Sequence, residues 1–364
     1  MSMVVDNNMH WMPEGMFDDE DLLEEVMRIP NRNEDLACYL TNIPGSDAKQ
    51  VVVEQPVGYQ NLNYTDLDVN FVKRVEMLDE IGVDMGVLRI PCLEEWMTLE
   101  ECKRMNDRMH ETVMRYPGRF APLAMVTPWG DRDSLKELER CVKELGCVGV
   151  EMAAHYGSKH MDEDCFRPHL RKIAELGVPI VVHHTPIPAA YESIYQKDKT
   201  RRLLGRCFAQ MTCITRNIFS DLFEELPDLK IVHSYMGGGF FSFIDMMNVG
   251  AHTTGKYKEE MKRVNDPRMG AHFDKVVKEN IFLDMCHATP WGKNTMEFAI
   301  RAMGADHILY GSSMPIKKEW SYEGPNFIRS LDITDEEKNL ILGDNADRLF
   351  DLTGFVNEVL PGMK

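Results

Sequence analysis

Short apolar runs alternate with amphipathic stretches along most of the chain. Runs at 3–6, 85–90, 120–126, 148–152, 178–183, 229–235, 281–285 and 307–311 have the length and Val/Ile/Leu content of buried strands. Between and after them, helical periodicity predicts helices at 66–81, 98–116, 131–145, 168–176, 199–225, 239–250, 293–303 and 335–342, with a helical turn at 346–352. Gly82, Gly146, Gly177 and Gly304 follow four of these as stop signals, and Thr98 with Glu101 forms a capping-box pattern. Eight strands separated by helices predict a parallel sheet closed into a (β/α)8 TIM barrel, an α/β fold, with residues 1–364 as one domain. Residues 14–65 interrupt the alternation. An acidic start followed by an apolar stripe predicts a short helix at 18–27. The segment 31–64, rich in Asn, Gly, Pro and Tyr, reads as a long loop over the barrel mouth with a small hairpin around 51–53. Long loops of this kind serve as lids or contact surfaces.

Charge narrows the partners. A formal net charge of −18 argues against nucleic acid and anionic membranes, both of which need clustered Lys and Arg. No apolar run approaches a membrane span, and the first residues lack the basic-then-apolar pattern of a signal peptide. Nine cysteines are scattered without a Cys-x-x-Cys pair, which predicts reduced thiols and a cytoplasmic location. The 26 methionines read first as adaptable core filling and second as adaptable interface.

Candidate chemistry gathers at the C-terminal ends of the predicted strands, where barrels place their sites. The first strand runs into Asp6, Asn8, His10 and Pro13; the fourth carries Glu151; the fifth ends in His183 and His184. The sixth continues as His233-Ser234-Tyr235-Met236-Gly237-Gly238-Gly239, and the eighth as Gly311-Ser312-Ser313-Met314-Pro315. Glu151 within an apolar strand needs a metal or a buried cation as partner. His10 and His183 read either as ligands or as hydrogen-bonded core histidines. His184 and His233 read as structural or as helpers to the site, and His155 and His160 as solvated loop residues. The glycine run lacks the Lys-Ser/Thr of a phosphate loop and reads as a tight turn or close backbone approach.

These segments resemble the amidohydrolase superfamily, in the branch of aminocarboxymuconate-semialdehyde decarboxylase and related aromatic-acid decarboxylases. That branch opens Asp-x-His-x-His-x-x-Pro, matched by Asp6, Asn8, His10 and Pro13. Its Gly-Ser-Asp-x-Pro is matched with Ser313 at the aspartate, and its histidine before a glycine run with Tyr235. The segment Gly343-Asp344-Asn345-Ala346-Asp347-Arg348-Leu349-Phe350 resembles its C-terminal signature. The resemblance implies a metal site with His10, Glu151 and His183 as metal ligands, Tyr235 and His233 as catalytic residues, and Asn8 and Ser313 as degenerate ligand positions. Two imidazoles and a carboxylate suit one divalent cation (zinc, iron or manganese), held weakly or absent.

Two enzymatic readings follow from the resemblance. In the first, the chain is a subunit with a partly eroded site, paired with an active homologous amidohydrolase-fold subunit in a metal-dependent oxygenase-type enzyme acting on a small carboxylic or amino acid. Such an arrangement is similar to the two-component aminoisobutyrate hydroxylase, an oxygenase with a dinuclear manganese–iron centre. In the second, the chain alone is a mononuclear metal-dependent decarboxylase or hydrolase of a small carboxylic acid. A metal-free binding or structural protein is the third reading.

Overall fold

The computed structural model describes residues 3–183, 200–248, 268–286 and 288–359. Eight parallel strands form one sheet: β1 (Val5–His10), β2 (Met85–Arg89), β3 (Phe120–Met125), β4 (Gly149–Ala153), β5 (Ile180–His183), β6 (Ile231–His233), β7 (Ile281–Asp284) and β8 (Ile308–Leu309), in that spatial order. The last strand returns to the first. Asn7 N donates to Tyr310 O at 3.0 Å, His10 N to Met314 O at 2.8 Å, and Ser313 N to Asn8 O at 2.9 Å. Helices pack outside this ring, so the strands are buried on both faces and read as continuous apolar runs rather than alternating ones.

Two local expectations change. Strand β1 extends through His10, so Asn8 and His10 lie within it and not in a cluster beyond its end. Barrel closure explains this, because polar residues in β1 find backbone partners in the segment after β8. Nor is 31–64 one long loop: Ala37–Asn42, Lys49–Glu54 and Gln60–Thr65 form a three-stranded antiparallel sheet. The hairpin expected at 51–53 is the middle strand of this sheet, with Val51, Val52 and Val53 all buried.

Helix boundaries also shift. The helix expected at 18–27 spans Glu20–Asn31, and 66–81 divides at Asn70 into Asp66–Val69 and Phe71–Ile81. The capping box is present, with Thr98 and Glu101 exchanging bonds at the start of Leu99–Arg115. The region expected as one helix from 199 contains a π-turn, Thr200–Gly205, then Arg206–Phe219 and Leu222–Glu225; residue 199 lies outside the described residues. A 3-10 segment, Tyr235–Phe243, precedes Ile244–Met247, and residues 249–250 of the expected 239–250 helix are outside the described residues. Lys318–Arg329 is a further helix that its internal Gly324 and Pro325 obscure in the sequence.

The inserted sheet is fastened to the barrel mouth. Arg32 forks onto Glu101 with two bonds of 2.6 Å, and Tyr64 Oη donates to Pro91 O at 2.7 Å. The second bond pins the sheet to the loop that follows β2. All nine cysteines are free thiols. No helix among the described residues is long and apolar enough to cross a membrane.

Candidate metal centre

Glu151 lies in β4, His183 ends β5, and Glu94 comes from the loop after β2. One donor atom from each lies within 4.8 Å of the others, and all three residues are buried. Glu94 Oε1 is 3.6 Å from His183 Nδ1, and Cys92 Sγ is 3.6 Å from the same nitrogen. Glu151 Oε2 accepts from Ile90 N at 3.1 Å, while its Oε1 makes no hydrogen bond among the described residues. Neither carboxylate oxygen of Glu94 makes one there. His10 stands just outside the group, its ring centroid 5.7 Å from that of His183. Both of its ring nitrogens are buried and lack a hydrogen-bond partner among the described residues.

The electrostatics describe a site suited to a cation. Burial pushes the Glu94 carboxyl up to about 7, against the pull of the Arg89 charge and nearby backbone amides. Burial drives Glu151 well above the usual carboxylate range, and the charge of Glu94 adds to it. His10 and His183 are driven well below the ordinary histidine value, first by burial and then by neighbouring positive charge. Neutral imidazoles are the form that binds metal. Two desolvated carboxyls side by side are costly unless a cation joins them. The donor set of nitrogen and carboxylate oxygen, with orphaned buried atoms facing inward, therefore fits a divalent ion.

A small cavity of about 80 Å³ meets this group at His183. It is lined by His10, His183 and Cys92, by Asn61, Leu62 and Asn63 of the inserted sheet, and by Arg206, Ile316, Lys317 and Trp320. Asn61 is 1% exposed, and its side-chain amide has no hydrogen-bond partner among the described residues.

The family model for amidohydrolases matches residues 78–352. The chain belongs to the amidohydrolase family. A gamma-resorcylate decarboxylase from Polaromonas sp. is 29% identical over 300 residues, covering 77% of this chain and 87% of that protein. A 2-amino-3-carboxymuconate-6-semialdehyde decarboxylase from Dictyostelium discoideum is 23% identical over 295 residues, covering 80% of this chain and 74% of that protein. In structure, a 5-carboxyvanillate decarboxylase from Novosphingobium aromaticivorans, solved with bound manganese, superposes with a TM-score of 0.76 at 16% identity, covering 96% of this chain and 97% of that one.

In this amidohydrolase the positions around Asn8 and Ser313 are held by a fixed network. Asn8 Nδ2 donates to Asp284 Oδ2 at 2.5 Å. The Arg89 guanidinium, fully buried, donates to Asn7 O at 2.6 Å and Ser234 Oγ at 3.1 Å, and lies 4.0 Å from Asp284. A permanent cation thus sits inside the barrel close to Asn8, balancing Asp284. Neither Arg89 nor Glu94 was singled out from the sequence. Arg89 had a signal, since a guanidinium in an apolar strand needs a buried partner. Glu94 had none, because Glu94-Glu95 in a loop reads as solvated.

The remaining site candidates separate. His233 shares a sheet face with its β5 neighbour Val182, whereas His183 is one residue further along and turns to the other face. His233 Nδ1 is 3.1 Å from Gln210 Oε1 in helix Arg206–Phe219. Gln210 Nε2 donates to Val182 O at 3.1 Å, which orients the amide, so His233 is protonated on Nδ1. Burial lowers its pKa to about 3.

Tyr235 has a left-handed φ of 58°, and its N–H donates to Cys286 Sγ at 3.0 Å. Its ring lies 5.7 Å from that of Trp291, and burial raises its phenol further from ionisation. Gly237, Gly238 and Gly239 all have positive φ, and a Cβ on Gly238 would meet Cys207 O at 2.1 Å; the run is a close backbone approach. His155 is buried, not solvated, with Nδ1 2.8 Å from Gly157 O. His160 is half-buried beside it, and His184 lies outside the described residues.

Proposed function

We propose that this amidohydrolase is a mononuclear metal-dependent decarboxylase of a small carboxylic acid, with Glu94, Glu151 and His183 holding the metal and His10 at its edge. The observation that carries the reading is the buried group of two carboxylates and an imidazole, met at His183 by a cavity that also presents cationic side chains. The decarboxylases among its relatives support the reaction class.

A bound divalent ion supplies Lewis acidity toward the substrate's carboxylate or a neighbouring oxygen. The chain's residues do the rest. Arg206 and Lys317 offer positive charge to a substrate carboxylate, Arg206 with the planar fork that matches two carboxylate oxygens. Leu62 and Trp320 offer apolar surface to its carbon skeleton, and the inserted sheet screens the site from water. Decarboxylation replaces carbon dioxide on carbon by a proton. Tyr235 keeps its phenolic proton through burial, so its role is that of a proton or hydrogen-bond donor, not of a phenolate ligand. His233, held by Gln210 on the sheet face turned away from His183 and neutral at a pKa of about 3, supports the fold behind the centre rather than touching the substrate.

The test is to load the chelator-treated chain with manganese, zinc or iron(II), and to measure carbon dioxide release from a panel of hydroxylated benzoic and short dicarboxylic acids. Metal-dependent release that Glu151→Gln abolishes is expected. No release with any metal, from a chain that binds none, would overturn the reading.

A second reading is favoured by Asn8 and Ser313, which stand where the amidohydrolase resemblance places ligands. Here the chain pairs with an active homologous subunit in an oxygenase-type enzyme. Co-purification with a homologue encoded beside it, and turnover only in that complex, supports this second reading over the first.

A further inference from the structure

The inserted sheet brings a buried amide to the cavity. In its strand Gln60–Thr65, Leu62 pairs with Val53 and Gln60 with Glu54, so Asn61 is an extra residue with no counterpart across the ladder. A bulge of this kind re-aims a side chain. A regular strand turns only alternate residues to one side, yet Asn61, Leu62 and Asn63 all line the cavity. The two asparagines differ. Asn63 Nδ2 donates to Gln50 Oε1 at 3.1 Å, within the sheet. Asn61, 1% exposed, has no hydrogen-bond partner for Oδ1 or Nδ2 among the described residues. A buried amide in that state costs stability and calls for a reason. Ordered water satisfies such an amide in an empty site. Water does not account for a bulge that brings the amide to a cavity shared with Arg206 and Lys317. A bound molecule accounts for both.

Resting on the reading of this cavity as the substrate site, we infer that Asn61 is a specificity-determining residue whose amide hydrogen-bonds a hydroxyl group on the acid. The two cationic side chains ask only for negative charge. Asn61 asks for more, because its Oδ1 needs a donor and a carboxylate has none. A hydroxyl near the carboxylate supplies that donor. An acid without one leaves Oδ1 buried and unpaired, which is how a polar site rejects an analogue that lacks the group.

The test is binding, independent of turnover. Salicylate is compared with benzoate, and malate with succinate, by calorimetric titration of the full chain, in chelator and again with zinc. Within each pair only the hydroxyl differs. The wild type should bind at least one hydroxylated acid about tenfold or more tightly than its partner, the worth of one buried hydrogen bond. Asn61→Leu keeps the side chain's bulk and removes both polar ends, so the ratio should fall to near one. Asn61→Ala repeats the result if leucine does not fit. Without ligand, Asn61→Leu should melt at or above the wild-type temperature, because it removes an unpaired buried amide. No binding of any of the four acids, equal affinities within both pairs, a ratio that survives both substitutions, or a lower melting temperature in both variants overturns the inference. Failure of the metal reading looks different: zinc then tightens no acid, while the ratio set by Asn61 stands in chelator.

Discussion

Replacing Glu94 by glutamine separates what the site costs from what it does. In the metal-free chain, Glu94 titrates at about 7 because burial penalises its charge. Against an ordinary value of about 4.5, that is a shift of about 2.5 units, or about 3 kcal/mol. The folded chain binds this proton more tightly than the unfolded one. Its contribution to stability is therefore complete below pH 4.5 and lost as pH rises through 7. Glutamine keeps the shape and does not titrate. In excess chelator, Glu94→Gln should match the wild type near pH 4.5 and exceed it by up to about 3 kcal/mol at pH 8. That gain raises the melting temperature by several degrees.

Added zinc should reverse the order at pH 8. A bound ion stabilises in proportion to the logarithm of its concentration over its dissociation constant, and the variant has lost a charged ligand. Thermal unfolding by circular dichroism, with chelator or zinc at both pH values, reads all four cases. A variant less stable than the wild type in chelator at pH 8 would refute the reasoning, as would an equal gap at both pH values.

Three further outcomes follow from other parts of the molecule. His169 is fully buried with no hydrogen-bond partner for its ring among the described residues, and burial lowers it to about 4. The unfolded chain therefore binds more protons below pH 6.5, and this contribution is lost as pH falls from 6.5 toward 4. His169→Leu should flatten the acid limb of a melting-temperature profile by up to about 3 kcal/mol. Ser313 is fully buried close to Asn8 and its partner Asp284, so Ser313→Asp adds an unpaired carboxylate there and should lower stability in chelator by about 3 to 5 kcal/mol in denaturant unfolding. Arg206→Met should raise KM for the substrate acid about 10- to 100-fold, the worth of one charge-assisted bond, with kcat changed little in steady-state kinetics.

The barrel was legible because its strands are β-branched runs and its helices carry explicit stops such as Gly82 and Gly177. What escaped shares a cause: burial created by distant chain segments. Asn7, Asn8 and His10 look like a polar cluster after a strand, yet closure against the segment after β8 makes them strand interior. Lys49–Glu54 shows no two-residue alternation because its valines are covered on both faces. Glu94 shows nothing in the sequence because only the fold of the loop after β2 brings its Oε1 within 3.6 Å of His183 Nδ1. Glu151 was legible from β4 alone, since a carboxylate among Val150 and Met152 demands a partner. The Arg89 guanidinium lies beside Asp284, which accepts from Asn8, so these buried groups are partnered by side chains from three different strands that no local pattern joins.

The central claim is the place of the ion. A crystal of the chain soaked with zinc, with anomalous differences collected on both sides of the zinc edge, locates it directly. One peak per chain is expected, between Glu94, Glu151 and His183, absent in Glu151→Gln. A peak beside Asn8 and Ser313, a second peak of equal height, or no peak between the two glutamates would contradict it.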